Sequence, residues 1–250
     1  MIITLGNIVF GGKGNGGSST ASAYVVPDGM RFAKSLLTEF PSEGLDFSQK
    51  TNFDYCWYDC MSLTSFPLID TISGTSFTNA WYNCASLTSF PQLDLSNGSS
   101  FSMTWTFCSS LKEFPLINTA KGTNFNFAWG YCTSLTNFPM LDLSSGTDFS
   151  NAWSSCPALT TIGQLDLSSG TDFTNAWSSC SSLTNLGGFG AISADIDLSP
   201  CTNLTVESLM NVITQAATVT GKTMTLGSTN LAKLTDEQKA IATNKGWTLA

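Results

Sequence analysis

The sequence contains no histidine. That removes Ser-His-Asp and Cys-His nucleophilic catalysis in their usual forms, and every metal site that needs an imidazole. Charge is scarce as well. Only 11% of the 250 residues are Asp, Glu, Lys or Arg, against about 25% in an ordinary soluble domain. Basic residues are the rarest: between positions 51 and 201 only Lys112 and Lys121 stand against eleven acids, and the net charge is −8. Such a chain repels phosphate, so nucleic acid is not an expected partner. It offers no polybasic patch to an anionic membrane. No apolar run approaches the roughly 20 residues of a spanning helix, so membrane insertion is not expected. The start, "MIITLGNIVFGGKGNGGSST", has no basic region ahead of its short apolar stretch, so it does not read as a signal peptide.

What fills the chain instead is apolar residues (42%) and Ser, Thr, Asn and Gly, arranged periodically. Cys60, Cys84, Cys108, Cys132, Cys156 and Cys180 recur every 24 residues. Trp57, Trp81, Trp105, Trp129, Trp153 and Trp177 keep the same period, as do a Phe column from Phe53 to Phe173 and a Leu column from Leu63 to Leu183. Phe66, Phe90, Phe114 and Phe138, each followed by Pro, form a fifth column. The consensus is F-x-x-A-W-x-x-C-x-S-L-T-x-F-P-x-L-D-L-S-x-G-T-x. A fixed period of this length means stacked coils, because one coil cannot bury its apolar side chains alone. "SLTSFPQLDLS" (86–96) reads as extended with a break at Pro91. Gly98, Gly146 and Gly170 read as turn residues chosen for free φ. Phe, Trp and Cys at i, i+4 and i+7 read as a short helical turn facing the core.

The frame "C-x-S-L-T-x-F-P-x-L-D-L-S" resembles the BspA-like leucine-rich repeats of bacterial and phage surface proteins, and related repeats of mycoplasma surface proteins. The likeness covers about residues 30–202; the regular Trp and the Phe-Pro pair depart from it and leave the ligand open. It implies a non-enzymatic protein associated with adhesion. The expected fold is therefore an α/β repeat solenoid: a leucine-rich-repeat-like right-handed coil of 24-residue repeats, with short strands, short helical turns and a helical C-terminal cap.

Three regions follow. Residues 1–29 form an N-terminal segment, with an apolar strand-like stretch from Ile2 to Phe10 and a Gly-rich linker at 11–17. An apolar end on a linker suits addition to another protein's sheet, so residues 1–17 are the expected anchor to other virion proteins. A disordered terminus is the alternative. Residues 30–202 are the solenoid. Its opening coil is two residues longer than the rest and places Arg31 in the Trp column and Lys34 in the Cys column, which suits an end cap. Residues 203–250 close the rod. A strand at Ile196–Leu198 precedes a helix from about Val206 capped by Thr205. A strand at 224–228 follows, then a helix with Thr235 and Gln238 as capping box and Gly246 beyond its end, and "WTLA" as last strand.

Eight cysteines invite a disulfide framework, but the period argues for buried free thiols in a packing column. No C-x-x-C pair exists, no thiol has a His or basic neighbour to activate it, and no metal or cofactor is expected. Asp94, Asp142 and Asp166 in the L-D column, with Asp148 and Asp172, read as turn and cap residues rather than catalytic carboxylates or a calcium site.

Function then falls to the columns that vary. Tyr55, Tyr58, Tyr82, Phe107, Phe127 and Tyr131 occupy positions that are plain Asn and Ser in the last two coils. In register they would make an aromatic patch at one end of the rod. Such a patch suits sugar rings or a protein contact. It equally suits the outer side of a broader core or the face of a neighbouring copy, so a homo-oligomer stays open. The expectation is a phage tail or head fibre adhesin at the virion surface, binding a host cell-surface glycan or protein. The alternatives are a bacterial cell-surface adhesin and a purely structural or decoration protein of the particle.

Overall fold

The computed structural model of the chain describes residues 23–250. The strand-like 2–10, the linker 11–17 and the anchoring role given to 1–17 lie outside the described residues. In chain order the elements are β1 (Tyr24–Val25), β2 (Leu45–Asp46), β3 (Asn137–Phe138), β4 (Thr161–Ile162), β5 (Asn185–Leu186), β6 (Ile196–Asp197), α1 (Val206–Gln215), β7 (Lys222–Thr225), α2 (Gly227–Leu231), α3 (Asp236–Asn244) and β8 (Trp247–Leu249). Strands are short and pair in parallel, β1 with β2, β3-β4-β5, and β6-β7-β8. Partners lie one coil apart: Phe138 faces Ile162, and Ile162 faces Leu186. Isolated bridges continue the same spacing through Asn52, Ser76, Ser100, Asn124, Asp148 and Asp172.

Each coil is bonded to its neighbours along three lines. On the first, every second N–H from Phe149 to Ser155 donates to the next coil, to the carbonyls of Asp172, Thr174, Ala176 and Ser178 at 2.7–2.9 Å. The intervening N–H groups of Ala152 and Ser154 close tight turns on Phe149 and Asn151, both at 3.0 Å. On the second, Thr160 N–H reaches back to the Thr136 carbonyl at 2.8 Å, and on the third Thr171 N–H reaches the Thr147 carbonyl at 2.8 Å. The Thr160 and Thr171 hydroxyls bond the same two carbonyls. Along these three lines stacking uses backbone groups that would face water in a lone coil, which is why the repeat needs neighbours.

The F-x-x-A-W-x-x-C segment is not helical, contrary to the expected helical turn. Its third and seventh residues have positive φ in every coil, 57° at Asn151 and 59° at Ser155 for example. Two left-handed corners four residues apart stop a right-handed helix and turn alternate N–H groups toward the next coil. Phe149, Trp153 and Cys156 still point inward, so helical spacing was mimicked by a different backbone.

Inside, like stacks on like. Adjacent column tryptophans lie 5.0–6.1 Å apart, with planes within 12°. The Phe53–Phe173 column stacks at 5.0–5.7 Å. Phe66, Phe90, Phe114 and Phe138 meet the tryptophans edge-on at 4.7–4.9 Å. Such pairs add about 0.5–1.5 kcal/mol each beyond burial. Part of this offsets a cost: the six column indole N–H groups are buried without an acceptor, at about 1–3 kcal/mol each.

Two assignments change. Gly98, Gly146 and Gly170 sit in turns but have no positive φ. They are needed because a Cβ would lie 2.2–2.5 Å from the ring tip of Phe101, Phe149 or Phe173. In the opening coil the register is one residue off the expectation. Phe32, not Arg31, stacks on Trp57 at 6.2 Å, and its carbonyl accepts from the Cys60 thiol as the column tryptophans do in later coils. Lys34 has φ 58° and takes the left-handed corner before the Cys seat. An apolar ring wins the buried seat, and both cations stay at the surface. The cap is made instead by Lys50, 1% exposed, whose Nζ donates to the carbonyls of Pro27 and Met30 at 2.9 and 3.2 Å. Burial lowers its pKa.

At the far end α1 carries the Thr205 cap and α3 the Thr235–Gln238 capping box, with Gly246 at φ 85° just beyond. The short helix α2 was not foreseen; it replaces the last residues of the strand expected at 224–228.

Candidate functional site

The six variable aromatics lie on one side of the first four coils, and five of them touch. Tyr55 packs on Tyr58 at 5.6 Å, and Tyr58 stacks on Tyr82 at 4.8 Å with planes 6° apart. Tyr82 meets Phe107 edge-on at 5.5 Å, and Phe107 stacks on Tyr131 at 4.4 Å. The ribbon therefore steps between columns: Tyr58 and Tyr82 share one, Phe107 and Tyr131 the next. Phe127 stands apart beside Gly130, whose Cβ would lie 3.0 Å from its ring. At the first end the Arg31 guanidinium sits 4.9 Å over the Tyr55 ring, an attraction the sequence did not reveal. At the other end Tyr131 is followed in its column by Ser155.

Four of the six hold a strained backbone. Tyr55, Phe107, Phe127 and Tyr131 have φ of 58°, 62°, 51° and 60°. Asn tolerates this region and bulky residues do not, at about 1–3 kcal/mol each. Asn79, Asn83, Asn151 and Asn175 occupy the same two columns elsewhere. The alternation of Asn with aromatics in these two columns is the signal in the sequence for left-handed corners.

The exposed chemistry is specific. Tyr58 with Tyr82, and Phe107 with Tyr131, turn their faces to one another, so an approaching partner meets ring edges and phenol hydroxyls there. Tyr55 and Tyr131 are 38% and 37% exposed, and Tyr58, Tyr82 and Phe107 are half-buried. Partial burial, together with the Asp59 carboxylate, pushes the Tyr58 phenol up from its ordinary value, so it remains a donor at neutral pH. Beside the ribbon Asn83 donates to Asp59 at 2.9 Å. The other acids behave as local caps: Asp94, Asp142, Asp148, Asp166 and Asp172 each accept the N–H two residues on, at 2.8–3.1 Å. Among the described residues no three of His, Cys, Asp and Glu gather where a metal ion could be held, and no helix is long and apolar enough to cross a membrane.

The eight thiols are all buried and free. Those of Cys84, Cys108, Cys132, Cys156 and Cys180 each donate to the Trp carbonyl of the preceding coil, at 3.0–3.4 Å. Desolvation pushes Cys60 up to about 11 and Cys108 and Cys180 up to about 12. These groups fasten coils and are not nucleophiles.

Fold and site together define a rod of stacked parallel coils with an aromatic ribbon along one side. No protein-family model matches the chain, and no curated protein matches it. Among solved structures the chain is similar to a leucine-rich repeat protein from Bacteroides ovatus, at 13% identity and a TM-score of 0.36. The match covers 70% of this chain and 46% of that one, so the chain spans less than half the length of that protein. The likeness is loose, and the fold described above rests on the chain's own hydrogen bonds.

Proposed function

We propose that this protein is a non-enzymatic adhesive rod of the BspA-like leucine-rich-repeat kind, a fibre component of a phage virion that touches the host surface through the aromatic ribbon. One observation carries the binding reading: bulky aromatics sit at left-handed corners where Asn would cost less. Strain kept at four aromatics in three of the first four coils, and relaxed to Asn and Ser in the last two, supports a surface used for contact. The partner is a cell-surface glycan or protein that supplies hydrogen bonds to the row of phenol hydroxyls and packs against ring edges. The virion reading draws on the resemblance of the repeat frame and on the hydroxyl-rich, charge-poor surface. Particle-assembly genes beside its own are the expected setting; a cell-wall locus would favour a bacterial surface adhesin.

The test pairs binding with stability. Replacing Phe107 and Tyr131 together by Asn should abolish binding to an array of bacterial surface polysaccharides and to host cells, while the thermal midpoint stays level or rises. Unchanged binding in that variant would remove the ribbon from the function.

A further inference from the structure

A second face of the rod carries a different chemistry. After each Phe-Pro pair the chain runs extended, with side chains alternately outward and inward: Gln92 and Asp94 are exposed while Leu93 and Leu95 are buried. Stacking turns the outward positions into two parallel rails. One holds Leu68, Gln92, Leu116, Met140 and Gln164, with the three apolar members 69%, 59% and 66% exposed. The other, two residues on, holds Asp70, Asp94, Asn118, Asp142 and Asp166, all exposed. The rails lie about 7 Å apart, and their members repeat about every 4.8 Å along the rod. Outward positions elsewhere on the repeats are mostly Ser, Thr and Asn, so an apolar rail of this exposure stands out.

The coils are also joined differently on this face. Pro91 and Pro139 have no N–H to give, and Leu93 and Leu141 bond their carbonyls locally, both at 2.9 Å. In the Phe-Pro coils the links to the next coil come from side chains instead: Gln92 to the Leu116 carbonyl at 2.9 Å, Thr71 to the Asp94 carbonyl at 2.6 Å and Thr119 to the Asp142 carbonyl at 2.8 Å. A depression of about 310 Å³ opens there, lined by Gln92, Asp94, Ser96, Leu116 and Asn118 among others.

We infer that this face docks an extended protein segment bearing both basic and apolar side chains, a partner distinct from the one met by the ribbon. Charge decides the occupant. A second copy of this chain would set carboxylate rail against carboxylate rail, and an anionic lipid surface would be repelled in the same way. A basic–apolar strand satisfies both rails at once, its cations on the Asp oxygens left free by capping and its apolar side chains on Leu116 and Met140. The inference is independent of the ribbon, since it rests on other residues on another side of the repeat.

The probes are three fluorescent synthetic peptides on the whole chain: alternating Lys and Leu, Lys and Ser, and Glu and Leu. Only the Lys–Leu peptide should bind appreciably. Leu116→Ser with Met140→Ser, and separately Asp94→Asn with Asp142→Asn, should each weaken it by about tenfold or more. The Asn pair keeps the capping oxygens, so its fold is retained. Tyr82→Ala should leave this affinity unchanged while testing the ribbon separately. Equal binding of the Lys–Ser peptide, no effect of either pair, or no binding of the Lys–Leu peptide would overturn the inference.

Discussion

The Cys–Trp pairing shows what one residue position does in a stacked repeat. Cys is small enough for the seat, and its weak S–H donor completes the Trp carbonyl one coil back. Ala would fill part of the space and leave that acceptor to the backbone alone. Because folding raises these pKa values, the sign of the pH effect is fixed. Below an unfolded thiol pKa of about 8.5 both states are protonated and nothing is lost. Above it the unfolded chain ionises while the folded one does not, and each thiol withdraws up to about 1.4 kcal/mol per pH unit. Urea midpoints should therefore be level to about pH 8 and fall steeply by about pH 10, before most tyrosines ionise. A profile level to about pH 10 would contradict burial of the column. Alkylation should modify no thiol in the native protein and all eight in denaturant.

Within an element, the packing tolerance is set by Gly and Phe together. A Cβ on Gly122 would lie 2.4 Å from the Phe125 ring tip and 3.0 Å from two Phe101 atoms, so the rings of two coils would both have to move. Gly122→Ala should cost about 3 kcal/mol, measured by denaturant unfolding, although its φ suits Ala. Gly29 is the contrasting case: nothing lies within 4 Å of its Cβ position, and its φ of 83° is what calls for glycine. The Pro column obeys a similar local logic. Gly163 stands where Pro139 stands one coil earlier, and its N–H bonds the Phe138 carbonyl at 3.3 Å, the ladder bond Pro cannot make. The break at Phe-Pro was legible in the sequence for this reason. The left-handed corners were not, because Phe, Trp and Cys at i, i+4 and i+7 fit a helix equally well and periodicity cannot report the sign of φ.

For the whole molecule, stacking makes the coil the unit of change. Deleting residues 149–172 removes one period and rejoins Asp148 to Phe173, the neighbour type it already has. The shortened rod should fold cooperatively with lower stability and keep ribbon binding, since the ribbon ends at Tyr131. Deleting 149–160 alone would set the Trp, Phe and Cys columns out of register, and circular dichroism and urea unfolding should show the rod collapsed beyond that point.

The sequence by itself determined the period, the column membership of the core and the caps at Thr205 and Thr235. Each follows from spacing or from a side chain's reach to its own backbone. It also placed six aromatics on varying columns. Only the tertiary structure decided which of them touch, that Phe32 and not Arg31 takes the first Trp seat, that four aromatics sit on strained corners, and that apolar and acidic columns run side by side on another face. Those facts depend on backbone handedness and on which neighbour each coil meets. A repeat fixes how often a residue recurs, and contact between coils fixes what it faces.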